Sequence, residues 1–124
     1  MIQIFLSNTS NLAIYEQIMA QIKDAIIRKE ALPDEPLPSI RALAQDLQIS
    51  VITTKRAYEE LEREGLVYSK PGKGFYVSKS KTEMLKEKRI QTLEAQMIEL
   101  IKQCKNAELS KEDMMAMLDV LYDE

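Results

Sequence analysis

The sequence predicts a mainly α fold with one small β-hairpin and a helical tail, and three observations carry that reading. Apolar residues recur at helical spacing in three successive stretches between residues 13 and 64. Two short β-favouring runs, LVYS (66–69) and FYVS (75–78), flank the turn-forming KPGKG (70–74). A further apolar stripe, Ile90, Leu93, Met97, Leu100 and Cys104, alternates steps of three and four residues after the hairpin.

The first stretch, NLAIYEQIMAQIKDAIIRKE, spaces Ile14, Ile18, Ile22, Ala25 and Ile26 as one face of a helix over about 13–30. Pro33, Pro36 and Pro38 forbid helix through 32–38. Ser39 then stands where an N-cap belongs, ahead of Ile40, Leu43, Ala44 and Leu47, and starts a second helix over 39–47. Ser50 caps a third helix that runs to Gly65, the residue type favoured just past a helix end. Only Gln48, Ile49 and Ser50 separate the last two helices, so they form a helix-turn-helix supported by the first. A generic three-helix cluster is the plain alternative. The hairpin at 66–78 separates the two, because helix-helix-helix-hairpin is a winged helix. The fold class is therefore a winged helix-turn-helix domain, residues 1–79, followed by a two-helix tail, residues 80–124.

Composition narrows the function classes. The chain has 124 residues, 45% hydrophobic and 30% charged, enough for one modest core. It has no histidine and one cysteine, Cys104. That removes Ser-His and Cys-His nucleophile pairs and most soft metal sites, and no carboxylate pair stands out, so an enzyme is the weakest reading and no cofactor is expected. No apolar run is long enough to span a bilayer and the first residues lack signal-peptide character, so the expected location is the cytoplasm, with no membrane partner. Gly72 and Gly74 do not make a nucleotide loop, because a strand and not a helix follows them.

Charge is uneven. Residues 38–80 carry seven basic and five acidic side chains, whereas the flanking thirds are net acidic. On the third helix Thr54, Ala57, Tyr58 and Leu61 share one arc, which makes Tyr58 a core residue, and Ile52, Lys55, Arg56, Glu59 and Arg63 lie opposite. Val51 and Ile52 at the first turn suit contact with thymine methyls, and Lys55 and Arg56 suit a guanine edge or a phosphate. The competing reading pairs Lys55 and Arg56 with Glu59, Glu60 and Glu62 along the helix. Lys70 and Lys73 in the hairpin loop suit phosphates or a minor groove, against a plain solvated turn.

The stretches YEQIMAQIKDAIIRKEAL, LPSIRALAQDLQIS and TKRAYEELEREGLVYSKPGKGFYV together resemble the winged-helix domain of GntR-family bacterial transcriptional regulators. The short helical tail resembles that of the small YtrA-type subfamily. The resemblance implies a homodimeric regulator, usually a repressor, that binds a double-stranded DNA operator. It implies DNA contact for Arg41 after the LPS stretch, for Ser50, Thr53 and Lys55 with Arg56 beside them, and for Gly72 and Lys73 at the wing tip. Ser39 reads first as a helix cap, a place from which it can also meet a phosphate. Val51 and Ile52 depart from the polar or basic residues common there, Gln48 replaces the common turn glycine, and Glu35 sits near the usual glycine before LPS.

In the tail, Ile98 and Ile101 broaden the stripe, and Ser110 caps a last helix bearing Met114, Met117, Leu118 and Leu121. One small helix cannot cover both stripes, so Ile90, Leu93, Met97, Leu100, Ile101, Cys104, Met114, Met117, Leu118 and Leu121 are expected to pair with a second chain. The Met-rich end reads as interface filler before it reads as a ligand pocket. A small-molecule effector has room only at the dimer interface or between tail and winged helix, and the sequence names none. The expected function is a sequence-specific regulator acting on a palindromic operator. The rival is a winged-helix protein-interaction module, supported by the acidic total and the apolar Val51-Ile52 pair.

Overall fold

The computed structural model describes residues 2–79 and 81–124. The helices are α1 (Ile14–Ile27), α2 (Ile40–Leu47), α3 (Val51–Arg63), α4 (Thr82–Asn106) and α5 (Lys111–Leu121), and between α3 and α4 lie β1 (Val67–Lys70) and β2 (Gly74–Val77). The chain divides into two compact units, Met1–Lys86 and Glu87–Glu124. The boundary expected at 79/80 abuts Ser80, which lies outside the described residues.

In the first unit Ile18, Ile22, Ala25 and Ile26 of α1 meet Ala57, Tyr58 and Leu61 of α3, with Leu43, Leu66, Val67 and Val77 closing the core. α1 ends at Ile27, short of the expected 30. Lys29 turns left-handed (φ 60°), and the N–H groups of Glu30 and Ala31 both return to the carbonyl of Ala25. Ser39 and Ser50 cap α2 and α3 through their hydroxyls, which accept from Ala42 and Thr53 at 3.0 Å each. The turn between them runs through Gln48 at φ 56°, and the Ile49 N–H returns to the Ala44 carbonyl.

The strands pair antiparallel with Tyr68 opposite Tyr76 and Lys70 opposite Gly74, leaving Pro71, Gly72 and Lys73 as the loop. Gly72 and Gly74 take φ of 73° and 97°, the region that favours glycine. The sequence did not disclose that the α1–α2 connection adds a third, short edge to this sheet. Pro36 bridges Tyr76, Leu37 donates to the Phe75 carbonyl, and Val77 donates to that of Glu35. Proline fits there because an edge position needs no N–H from it.

A second unforeseen feature is the clamping of residues 2–12 along α1. The Gln17 amide accepts from the Ser7 N–H and donates to the carbonyls of Ser7 and Leu12. One turn later Gln21 bonds both backbone groups of Phe5, as a strand neighbour would. Ile2, Ile4 and Leu6 thereby reach the core edge.

In the second unit Ser110 caps α5, accepting from the Asp113 N–H while Asp113 accepts from the Ser110 N–H. Neither α4 nor α5 buries any residue.

Candidate nucleic-acid interface

α3 divides its side chains as its sequence demands. Thr54, Ala57, Tyr58 and Leu61 are fully buried, whereas Val51, Ile52, Lys55 and Arg56 face water. Ile52 is 80% exposed at the helix start, beside the exposed Val51. Ile52 and Arg56, four residues apart, share one side of α3. Ser50 and Thr53 stand at the same end, committed to each other by a 2.8 Å hydroxyl contact in addition to the cap.

The cations of α3 have different partners. Lys55 lies 3.7 Å from Glu59, a long and exposed pair of little worth, and Arg63 pairs with Glu60. The intrahelical-pairing reading thus describes Lys55 and fails for Arg56. The Arg56 guanidinium lies over the Tyr15 ring of α1, 3.9 Å from its centroid, and donates to the Tyr15 hydroxyl at 3.3 Å. Arg41, in the first turn of α2, is exposed and makes no ion pair among the described residues.

The wing tip exposes Gly72 and Lys73. Lys70 does not extend with them; its ammonium lies 4.6 Å from the Tyr76 ring centroid and 5.9 Å from that of Tyr68. Those rings stack at 5.6 Å, and the Tyr68 hydroxyl donates to Asp34 at 2.7 Å, where Lys79 also pairs at 3.1 Å. These two contacts hold the Asp34 carboxyl below the ordinary carboxylate range, and the first of them raises the Tyr68 phenol. The ladder was readable in principle, since a three-residue loop puts Tyr68 opposite Tyr76, but its anchor at Asp34 comes from a distant connection. Tyr58 reaches all three elements: it is part of α3, its hydroxyl donates to the Pro38 carbonyl ahead of α2, and its ring meets Phe75 of β2 edge-on at 5.2 Å.

Among the described residues no group of His, Cys, Asp and Glu could hold a metal, and no helix is long and apolar enough to cross a membrane.

Residues 14–77 match the family model for bacterial regulatory proteins of the gntR family. The chain belongs to the GntR family. It is 36% identical over 92 residues to the HTH-type transcriptional repressor YtrA of Bacillus subtilis, covering 74% of this chain and 71% of that one. Its fold matches a GntR family transcriptional regulator from Listeria monocytogenes with a TM-score of 0.76, at 26% identity over 94% of this chain and 99% of the other. The DNA-binding domain AraR(DBD), solved in complex with operator ORX1, matches with a TM-score of 0.55 at 28% identity, covering 62% of this chain and 96% of that one. This GntR chain is accordingly a winged-helix, sequence-specific DNA-binding transcriptional regulator of the YtrA type, and not an enzyme.

Proposed function

We propose that this regulator is a cytoplasmic repressor that occupies a palindromic operator as a homodimer. The observation that carries the reading is the outward first turn of α3, where Val51 and Ile52 are exposed ahead of Lys55 and Arg56. A helix entering a major groove uses its N-terminal residues on base edges. Aliphatic groups there read thymine methyls, whereas cations along the same side meet guanine or phosphate. Arg41 at the start of α2 and Gly72 and Lys73 at the wing tip supply further backbone contacts on this reading, with Ser39, Ser50 and Thr53 beside them.

Two-fold pairing is supported by the second unit, where Ile90, Leu93, Met97 and Leu100 of α4 and Met117, Leu118 and Leu121 of α5 all remain exposed. Ile101 and Cys104 of α4 and Met114 of α5 are half-buried. A second chain seated there would cover these groups and place two recognition helices ~34 Å apart, one duplex turn.

The test is selection of bound duplexes from a random library, followed by fluorescence anisotropy of the best duplex against excess unrelated DNA across salt concentrations. A selected palindrome, two chains per duplex and a steep logarithmic salt slope support the proposal. A single asymmetric half-site bound by one chain sinks the dimeric operator, and recovery of no preferred sequence sinks the contact assignment.

A further inference from the structure

From the structure we infer that Tyr15 is a positioning residue for DNA binding: its ring, helped by its hydroxyl, holds the Arg56 guanidinium in place and unneutralised, ready for a DNA phosphate. The inference rests on the reading above that α3 faces the duplex, and adds a residue of α1 to it.

α3 and its C-cap carry four carboxylates, and all four are committed. Glu59 pairs with Lys55, Glu60 with Arg63 and Glu64 with Lys23 at 2.9 Å. Glu62 accepts from both the N–H and the hydroxyl of Ser69 on the wing, at 3.0 and 2.8 Å. Glu59 and Glu60 are the helical neighbours that Arg56 would ordinarily choose, three and four residues on. Arg56 meets neither; it is the cation of α3 that makes no ion pair among the described residues.

Tyr15 accounts for this. Its ring packs against the hydrophobic core, so it is a fixed shelf and not a mobile surface group. With the guanidinium lying over that shelf and one N–H on the Tyr15 hydroxyl, the remaining edge donors stay available to an anion. A neutral partner of this kind restricts the long side chain without cancelling its charge. A carboxylate would restrict it too, but would have to be displaced by the phosphate. Restricting a rotamer-rich side chain before binding removes an ordering cost from the complex. Arg56 shares its side of α3 with Ile52, so the site borders the proposed base-reading surface.

The experiment is a double-mutant cycle on the selected duplex with the full chain: Tyr15→Leu, Arg56→Ala, and both, with Tyr15→Phe as the conservative variant. Affinity, salt slope and thermal unfolding are read for each. Arg56→Ala is expected to weaken binding about tenfold or more and to lower the salt slope by about one unit. Tyr15→Leu is expected to weaken binding about three- to tenfold with its salt slope unchanged, because the phosphate contact persists but is no longer prepared. The double variant should bind no more weakly than Arg56→Ala, and Tyr15→Phe, which keeps the shelf, should stay within about twofold of the parent. Additive losses from Tyr15→Leu and Arg56→Ala would overturn the positioning role while leaving the Arg56 contact intact. Unchanged binding by Arg56→Ala overturns both, and marks the fault in the contact assignment. Should Tyr15→Leu unfold, Tyr15→Met takes its place in the cycle: a loss of affinity that vanishes in the Arg56→Ala background supports the shelf, and a loss that persists there refutes it.

Discussion

The hydroxyl of Tyr58, on the third helix, donates at 2.7 Å to the carbonyl oxygen of Pro38, the residue preceding the Ser39 cap of the second helix. The same ring is fully buried and meets Phe75 of the wing edge-on. One side chain therefore fixes the recognition helix, the start of its partner helix and the wing against one another. Tyr58→Phe keeps the packing and strands the Pro38 carbonyl. A loss of about 1 kcal/mol is expected, measured by urea unfolding. Burial also pushes the Tyr58 phenol well above its ordinary value. The unfolded phenol ionises near pH 10 whereas the folded one stays protonated, so the unfolded state sheds a proton and stability falls as pH rises past about 10. Tyr58→Phe should shallow that alkaline decline; an identical decline in both proteins would refute this account.

The burial of Tyr58 is legible in the amino-acid pattern alone, because Thr54, Ala57, Tyr58 and Leu61 recur at helical spacing and all four are buried. The caps at Ser39, Ser50 and Ser110 and the hairpin are legible for the same reason: each depends on chemistry within a few residues. What escapes depends on contacts between distant segments. Nothing near Tyr15 announces Arg56, forty-one residues away, as its partner. Likewise Asp34 shows no sign of meeting Tyr68, and the proline-rich stretch around Pro36 carries no alternating strand pattern to announce the sheet edge it joins. The early end of the first helix is hidden because Lys29 takes a left-handed turn usually announced by glycine.

Gln48 is another non-glycine residue in that conformation, with φ of 56° at the turn between the second and third helices. A side chain with a Cβ is strained there, and glycine is not. Gln48 is exposed, so its amide contributes no burial. Gln48→Gly should raise stability by roughly 0.5–1 kcal/mol, seen as a higher urea midpoint at unchanged slope. A lower midpoint would mean that the extra freedom of glycine in the unfolded chain outweighs the strain removed.

Asp34 offers a test in acid. The Tyr68 hydroxyl, and then Lys79, hold its carboxyl below the ordinary range, so its contribution is present above about pH 4 and is lost as pH falls through the lower folded value. The residue has φ of 65°, which asparagine also tolerates, so Asp34→Asn removes the charge without straining the backbone. Asp34→Asn should be the less stable protein near neutrality, with the gap to the parent closing below about pH 4. A gap that is constant with pH would show that the carboxylate charge is not what ties the wing to this connection.

The second unit gives the sharpest separation between folding and assembly. Leu100 is part of the α4 stripe and is more than half exposed, so its removal takes little from the fold of a single chain. Leu100→Glu would set two carboxylates against an apolar seam wherever two chains meet through α4, and desolvating them is costly. The expected outcome is a monomer in sedimentation equilibrium, with the cooperative unfolding of the winged helix preserved. Operator affinity should fall on the order of 100-fold, because each half-site then binds without the effective concentration supplied by its twin. A variant that stays dimeric would place the subunit contact elsewhere than the α4 stripe. A monomeric variant with undiminished affinity would show instead that one winged helix suffices for the operator, and the exposed stripe would then need another occupant.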